Sequence, residues 1–201
     1  MGATKSTPKK VRCSWVAPGD LLYQKYHDEE WGRPVYDDAL LFEMLILEGM
    51  QAGLSWRLIL ERRPLIKKAF CNLEPVKLAN LQDDELLAIM NKPGVIRNRL
   101  KTFGVRKNAQ SFLELQKEKG SFSEYLWGFV NHVPILESKT VGQPTPCQSP
   151  LSEAISKDLK KRGFTFIGPT IAYAYIQAVG LINDHEANCF LNTYSEQAPS
   201  I

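Results

Sequence analysis

The segment from Asp37 to Ala52 constrains the fold more than any other part of the sequence. From Ala39 it reads Ala-Leu-Leu-Phe-Glu-Met-Leu-Ile-Leu-Glu-Gly, which is apolar nearly all the way round a helix. Asp37 or Asp38 is a suitable N-cap, because its carboxylate can accept the free amide hydrogens of a first helical turn. A helix that is apolar on every face has no side to present to water. We therefore predict a buried helix here.

Helical periodicity and capping signals recur along the chain, whereas no segment shows the apolar–polar alternation of a strand. Ser55 can cap a second helix, Ser149 and Pro150 mark another helix start, and Pro169 and Gly180 bound the last one. The further predicted elements are helices at 21–30, 75–80, 83–90, 98–119 (as one helix or two) and 121–129, and a loop at 141–150. The predicted fold class is all-α.

The length of 201 residues suits one domain, and a hydrophobic share of 44% can supply its core. We place this domain at residues 12–190, between a disordered basic tail at 1–11 and a C-terminal tail at 191–201. No apolar run is long enough to cross a bilayer, and the N-terminus lacks the apolar stretch of a secretory signal. The expected location is the cytoplasm, or the nucleus in a eukaryote. The four cysteines then favour metal binding or plain burial over disulfides.

The formal net charge of +3 is weak support for nucleic-acid binding. Lys5, Lys9 and Lys10 account for all of it, so any affinity for nucleic acid has to come from how charges are arranged. The stretch 91–108 is the clearest arrangement, with six basic residues and no acidic one. It is either a solvated helix face or a set of phosphate contacts.

Two cysteines and two histidines form a plausible tetrahedral zinc set. His185 and Cys189 have the i, i+4 spacing that places both on one face of a helical turn, and Cys13 and His27 lie near the other end of the chain. A site with four protein ligands has no open position, so the zinc would be structural and would clamp the two ends. The alternative is that the cysteines are small buried residues and the histidines are incidental.

Glu48 is the acidic residue with the most unusual surroundings. It shares a helical face with Leu41, Leu45 and Ala52, and burial there would raise the pKa of its carboxyl group. Such a group is either functional or a structural carboxylate with hydrogen-bond partners. Nearby in sequence is an aromatic cluster, which is either ordinary core or a set of surfaces for a flat cationic ring. Its members are Trp15, Tyr23, Tyr26, Trp31 and Trp56.

Several of these residues belong to motifs by which the sequence resembles the DNA-3-methyladenine glycosylase I family. The resemblance covers roughly residues 11–190, and its motifs occur in one order along the chain, which makes them more specific together than singly. The motifs are Arg12-Cys13-Ser14-Trp15, Tyr26-His27-Asp28-Glu29-Glu30-Trp31-Gly32, residues 47–56, Gly94-Val95-Ile96-Arg97-Asn98-Arg99, Phe129-Val130-Asn131-His132, residues 160–168, and residues 180–185 followed by Cys189. Cys71 and Cys147 match nothing chemical and are interpreted as structural or incidental.

The resemblance implies a helix-hairpin-helix DNA glycosylase fold with a zinc site joining the N- and C-terminal segments. It implies zinc ligation by Cys13, His27, His185 and Cys189. It also implies a pocket for the target base around Glu48, Trp15, Tyr26 and Trp56, with Tyr23 and Trp31 nearby. The DNA-binding residues that it implies are Gly163, Gly168 and Thr170 in a hairpin at 162–170, whose amides would hold a phosphate, and Leu54 as a wedge in the gap left by the flipped base.

The implied activity is hydrolytic excision of 3-methyladenine from alkylated double-stranded DNA, with free 3-methyladenine as product, by a monomer that needs no membrane. Glu48 is the favoured essential carboxylate, and Asp184 is held in reserve. No lysine falls in the matched pocket motifs, so base removal without strand cleavage is expected. Two rival functions remain at this point. One is a zinc-stabilised DNA-binding module without glycosylase activity, and the other is a zinc hydrolase with an activated water on the metal.

Overall fold

The computed structural model describes residues 10–137, 139–142 and 144–192. These residues are mainly helical, as the sequence predicts. The predicted N-terminal tail at 1–11 and C-terminal tail at 191–201 lie largely outside the described residues. In chain order the elements are α1 (Leu21–Glu29), α2 (Asp38–Gln51), α3 (Trp56–Ala69), a 3-10 turn (Cys71–Leu73), α4 (Pro75–Ala79), α5 (Asp83–Met90), α6 (Arg99–Lys119), α7 (Phe122–Gly128), β1 (Ile135–Leu136), α8 (Pro150–Lys161), α9 (Pro169–Ala178) and β2 (Ile182–Asn183).

Helix α2 is buried, which confirms the prediction from its composition. Every residue from Leu41 to Met50 is buried, and the helix packs against α3, α6, α7 and α9. Asp37 is the N-cap and accepts a hydrogen bond from the amide of Leu40 at 2.9 Å. The polar Asp38 next to it also has a tertiary role, because its carboxylate accepts amide hydrogens from the first turn of α7. The central helix is thereby fixed at its start by both of its aspartates.

Most helix boundaries follow from local capping chemistry. Ser55 caps α3, and Ser149 caps α8 with Pro150 at the first helical position, where a missing N–H costs nothing. The stretch 98–119 forms one helix, α6, with Asn98 as its N-cap. The predicted loop at 141–150 is irregular wherever it is described before α8 begins.

The strand pair is a feature that the sequence does not predict. Strands β1 and β2 pair in parallel over two residues each, and an isolated bridge between Lys139 and Glu186 extends the contact. A two-residue strand is too short to show alternation, and its partner is distant along the chain. The pairing brings the segment after α7 alongside the segment that follows α9.

Helices α8 and α9 form a hairpin that is fastened to α6. Ser156 donates a hydrogen bond to the carbonyl oxygen of Ile167 at 2.6 Å, which holds the hairpin loop against α8. From α6, the side chain of Asn108 accepts the amide hydrogen of Thr165 at 2.8 Å and donates to its carbonyl oxygen at 3.1 Å. The loop 162–168 is thus a defined structure. None of the described helices is long and apolar enough to cross a membrane.

Candidate active site and metal centre

The aromatic residues singled out in the sequence surround one cavity of about 180 Å³. This is smaller than the roughly 300–1,000 Å³ of a site for a drug-sized ligand, and suits a single flat ring system. The lining residues come from the turns before and after α1, from α1 itself, from the C-terminal half of α2, from the start of α3, and from α9. They are Trp15, Tyr23, Tyr26, Trp31, Glu48, Gln51, Trp56, Ala174 and Gln177.

Local structure explains how the aromatic residues meet. Tyr23 and Tyr26 are three residues apart on α1, so both side chains project from one side of that helix. The Trp15 ring lies edge-on to Tyr23 and Trp31, with ring centres 5.5 and 5.2 Å apart. On the other side, Tyr26 and Trp56 have ring centres 5.4 Å apart. The cavity walls are therefore aromatic faces and edges that can stack on a planar ligand.

Glu48 supplies the acidic group of this cavity. Glu48 is 3% exposed, and burial raises the pKa of its carboxyl group to about 8. The neutral acid therefore predominates at pH 7. Its Oε2 has no hydrogen-bond partner among the described residues, and the same holds for Trp56 Nε1. A buried polar atom without a partner costs about 1–3 kcal/mol. Two such atoms in one cavity indicate a ligand with polar edges.

A second cluster lies beside the aromatic one and consists of the predicted zinc ligands. One ligand atom each from Cys13, His27, His185 and Cys189 lies within 4.8 Å of all the others, and all four residues are buried. Sulfur and imidazole nitrogen in a two-plus-two set are the donors that zinc prefers. The described residues thus bring together two segments from opposite ends of the chain in an arrangement that could hold a metal ion.

The surrounding hydrogen bonds orient the two imidazoles. His27 Nδ1 lies 3.0 Å from Asp28 Oδ1, and His185 Nδ1 lies 2.8 Å from Asn183 Oδ1. In each ring this leaves Nε2 to face the cluster, and His185 Nε2 has no partner among the described residues. Burial lowers the pKa of His185 to about 3, which keeps its imidazole neutral. A neutral ring held at one nitrogen is the form that ligates a metal.

The two sulfur atoms accept backbone hydrogen bonds. The amide of Glu186 donates to Cys13 Sγ at 3.4 Å, and that of Leu191 donates to Cys189 Sγ at 3.5 Å. The hydrogen bond from Cys13 lowers the pKa of Cys189 to about 5, with a smaller contribution from His27. The same contact and burial raise the pKa of Cys13. The pair therefore holds one thiolate readily, and the chemistry of the set fits a cation.

The prediction that His185 and Cys189 share a helical turn is wrong. Helix α9 ends at Ala178, and β2 then extends the chain, so the two residues lie in the turns that follow β2. Gly180 has a positive φ of 74°, and a Cβ atom there would lie 2.3 Å from the carbonyl carbon of Arg33. The positive φ takes the chain out of the helical conformation, and the close approach leaves room only for glycine at this position. The spacing identified two members of the buried cluster, although the local structure that brings them together is not a helix.

The DNA-binding residues proposed from the sequence lie in two loops. Leu54 follows Gly53, which has a φ of 77°, in the loop between α2 and α3, and its side chain is 37% exposed. Gly168 is the N-cap of α9 and Thr170 lies in its first turn. Gly163 lies at the end of α8, where its amide donates to the carbonyl oxygen of Lys160 at 3.0 Å. The Gly163 amide is thus already used within the hairpin.

Two basic side chains of the stretch 91–108 have partners within the protein, so the stretch is not simply a solvated face or a row of phosphate contacts. Lys101 is 8% exposed and donates to the carbonyl oxygens of Met50 and Ala52. Arg106 pairs with Asp83 and donates to the carbonyl oxygen of Leu81. These two side chains therefore have structural partners at the end of α2 and around the start of α5.

Comparisons with known proteins give the context of this geometry. A family model described as methyladenine glycosylase matches residues 15–192. The DNA-3-methyladenine glycosylase of Haemophilus influenzae is 43% identical over 179 residues, 89% of this chain and 96% of that protein. The DNA-3-methyladenine glycosylase 1 of Escherichia coli is 43% identical over 178 residues, 89% of this chain and 95% of that protein.

The chain belongs to the methyladenine glycosylase family. Solved structures of the family share its fold. A crystal structure of 3-methyladenine DNA glycosylase I superposes with a TM-score of 0.86 at 40% identity and covers 90% of this chain and 98% of that one. The structure of the Staphylococcus aureus enzyme, described as the basis of its 3-methyladenine recognition, has a TM-score of 0.86 at 32% identity over 94% and 98% of the two chains.

Asp184 does not line the cavity of this methyladenine glycosylase. It is 3% exposed, and its Oδ2 makes short contacts with Lys139 and Gln177. His185 is held by Asn183 rather than by Asp184. The reserve carboxylate thus has structural partners at the edge of the site.

Sequence reasoning missed Gln51, Ala174 and Gln177 as lining residues of the cavity. Ala174 and Gln177 are three residues apart on the predicted last helix, which was the one available signal for a shared face. Nothing in the sequence indicates that this face meets α2. Lys101 stands out in the sequence only as part of a charged run.

Proposed function

We propose that this chain is a monofunctional DNA glycosylase that flips 3-methyladenine out of alkylated double-stranded DNA and hydrolyses its N-glycosidic bond. The observation that carries the proposal is the cavity in which five aromatic residues surround the buried, unpartnered carboxyl group of Glu48. Membership of the methyladenine glycosylase family supports the same activity. The relatives named above carry 3-methyladenine glycosylase in their names.

The electrostatics of the cavity suit a cationic base. N3-methylated adenine is positively charged while attached to the sugar, so aromatic faces attract it by cation–π interaction. A nearby positive charge lowers the pKa of a carboxyl group. Glu48, which burial keeps neutral, would therefore release its proton to solvent as the cation enters, and its carboxylate would accept hydrogen from the N–H edge of the base. An uncharged normal base gains neither interaction.

The chemical step then needs little acid catalysis, because the leaving group already carries a positive charge. The bond between C1′ and the base breaks with its electron pair going to the base, which leaves as neutral 3-methyladenine. Water adds to the oxocarbenium-like C1′ and loses a proton, with the negative charge of Glu48 stabilising the developing cation. None of the cavity-lining residues is a lysine, so no amine is placed to form a Schiff base and cut the strand.

We propose that Cys13, His27, His185 and Cys189 bind a structural zinc ion. Buried sulfur and nitrogen atoms within 4.8 Å, oriented imidazoles and the unpartnered Nε2 of His185 support this assignment. Zinc supplies no chemistry to the reaction here. It would tie the segment before α1 to the segment after β2. Four protein ligands leave no position for an activated water, which argues against a zinc hydrolase.

DNA is proposed to bind across the loop that carries Leu54 and the hairpin between α8 and α9. In the proposed helix-hairpin-helix arrangement, the first turn of α9, with Gly168 at its N-cap and Thr170 within it, would meet a phosphate. Leu54 is proposed to fill the space of the extruded nucleotide. The domain at 12–190 would act as a monomer, in the compartment that holds the DNA: the cytoplasm of a bacterium or the nucleus of a eukaryote.

The activity is tested by base release from methylated DNA, with chromatographic identification of the free bases. We expect the native protein to release 3-methyladenine and little 7-methylguanine, and both Glu48→Gln and Tyr26→Phe to reduce the rate. Release unaffected by Glu48→Gln would move the chemistry away from that residue. Tight binding to DNA without any release would favour the second candidate function, a zinc-stabilised DNA-binding module.

A further inference from the structure

Gln177 is a cavity residue to which the mechanism above gives no role. It lies at the end of α9, one turn after Ala174, and both residues line the aromatic cavity. The residue is 8% exposed, and its backbone carbonyl accepts the amide hydrogen of Gly32 at 3.2 Å. The helix end that carries Gln177 is therefore fixed against the segment following α1.

The orientation of the Gln177 side chain follows from its partner. Its amide lies in a short contact with Asp184 Oδ2, which also pairs with Lys139. Asp184 Oδ2 already accepts from the ammonium group of Lys139, and the hydrogen bond with Gln177 runs from Nε2 to the same oxygen, so the NH₂ group of Gln177 faces Asp184. In a planar amide the oxygen and the nitrogen diverge from the same carbon, so Oε1 is turned away from Asp184, and Gln177 lines the cavity. In the described part of the chain no donor contacts this oxygen, Oε1.

We infer that Gln177 is a specificity-determining residue, which presents Oε1 to the cavity as a fixed, neutral hydrogen-bond acceptor. An acceptor in this place favours a purine whose six-position carries an amino group, as in 3-methyladenine. It opposes a purine with a carbonyl oxygen there, as in 3-methylguanine, because two acceptors would face each other. This inference rests on the proposed function and adds the residue that selects 3-methyladenine over 3-methylguanine.

Asp184 acts through Gln177 as a positioning residue. A free glutamine amide could rotate by half a turn and offer NH₂ to a guanine carbonyl. Here the rotation would place Oε1 against the buried carboxylate of Asp184, which is unfavourable where water cannot intervene. The ion pair with Lys139 supplies the charge balance that allows this carboxylate to stay buried.

The same pair of residue types occurs elsewhere in the fold and provides a control. Gln116 on α6 donates its amide hydrogen to Asp38 Oδ2 at 2.6 Å, and neither residue lines the aromatic cavity. Gln116→Met and Gln177→Met therefore remove the same kind of hydrogen bond. Only the second also removes an acceptor from the cavity.

The experiment compares initial rates of release of 3-methyladenine and 3-methylguanine from one preparation of methylnitrosourea-treated DNA. The quantity compared is the rate for 3-methyladenine divided by the rate for 3-methylguanine. A hydrogen-bonding site rejects a mismatched polar edge strongly, so we expect this ratio to fall about tenfold or more in Gln177→Met. The ratio in Gln116→Met should equal that of the native protein. Asp184→Asn, with metal content measured in parallel, should lower the ratio as well, because an asparagine can face either end of the Gln177 amide.

The two proposals fail in distinguishable ways. A native protein that releases no 3-methyladenine would overturn the proposed function. Native release with a ratio that stays within twofold in Gln177→Met would overturn this inference alone. If Gln177→Met does not fold, the smaller substitution Gln177→Ala carries the test, and an unchanged ratio in that variant overturns the inference equally. A general loss of stability would slow the release of both bases to the same extent and leave the ratio of the two rates unchanged.

Discussion

Lys101 Nζ donates a hydrogen bond to the carbonyl oxygen of Ala52 at 2.6 Å. A second bond, at 2.9 Å, goes to the carbonyl oxygen of Met50. These carbonyls belong to the end of α2, where the last turn of a helix has no partners of its own. The ammonium group also carries the charge that suits a helix C-terminus. One buried lysine from α6 thus holds the start of the loop that carries Leu54.

Replacement of Lys101 by methionine should therefore loosen this loop. One buried carbonyl and one part-buried carbonyl would lose their partner, and we expect the free energy of unfolding to fall by about 1–3 kcal/mol. Base release from duplex DNA should fall more than binding of free 3-methyladenine, because this is the loop proposed to meet the DNA. Urea unfolding and release assays measure the two effects. Lys107→Met, at an exposed position on the same helix, should change stability by less than about 0.5 kcal/mol.

The buried carboxyl group of Glu48 should make stability depend on pH. Burial raises its pKa in the folded protein to about 8, from an ordinary value of 4.5. The folded state then binds one more proton than the unfolded state between these values, so the stability contributed by neutral Glu48 is full below pH 4.5. It is lost as pH rises towards 8, at up to about 1.4 kcal/mol per pH unit.

This dependence is measured as a difference between the native protein and Glu48→Gln, which cannot titrate. From urea unfolding at about pH 5, 6.5 and 8, we expect the native protein to lose stability relative to the variant as pH rises. Other titrating groups are common to both proteins and cancel in the difference. Parallel curves over this range would mean that Glu48 is solvated or paired in the folded protein.

The Cys/His cluster should bind one metal ion per chain. Cys189→Ala removes one ligand, so we expect elemental analysis to show loss of zinc and the melting temperature to fall by roughly 10 °C. Cys147 is exposed and outside the cluster, which makes Cys147→Ser the matched control with unchanged zinc content. Equal zinc in all three proteins would show that the metal, if bound, has other ligands.

Local chemistry explains which parts of the fold were predictable from the sequence. Asp37, Ser55 and Ser149 cap the helices that they were expected to cap, because an N-cap bonds within its own first turn. The parallel pairing of Ile135 with Ile182 depends on contacts across 47 residues and leaves no local pattern. The spacing of His185 and Cys189 predicts a helical turn, because the sequence contains no local sign of the strand pair that extends this segment.

The residues of the candidate site likewise differ in whether the sequence alone reveals them. Glu48 was recognisable because an acid within an apolar helix is a conflict that the sequence itself displays. Gln177 and Lys101 show no such conflict, since a polar residue on a helix is ordinary. Their importance arises from what α9 and α6 pack against, which is a property of the assembled fold.

Leu54 offers a test of base flipping that is separate from recognition of the base. Leu54 is 37% exposed in the loop between α2 and α3, and the flanking residues Gln51 and Trp56 line the aromatic cavity. A leucine inserted into the duplex compensates for the stacking lost when a base is extruded. In Leu54→Ala we expect slower release of 3-methyladenine from duplex DNA, by about tenfold, and unchanged binding of the free base. Leu136→Ala, at another exposed leucine, should leave both unchanged.

The contrast between double- and single-stranded substrates sharpens this test. A base in a single strand is already partly unstacked, so a wedge contributes less to its capture. We therefore expect the defect of Leu54→Ala to shrink when the same methylated DNA is supplied as single strands. An equal defect on both substrates would show that Leu54 supports the cavity rather than the gap in the duplex. Fluorescence titration with free 3-methyladenine would then show weaker binding by the variant, because a damaged cavity loses affinity for the base itself.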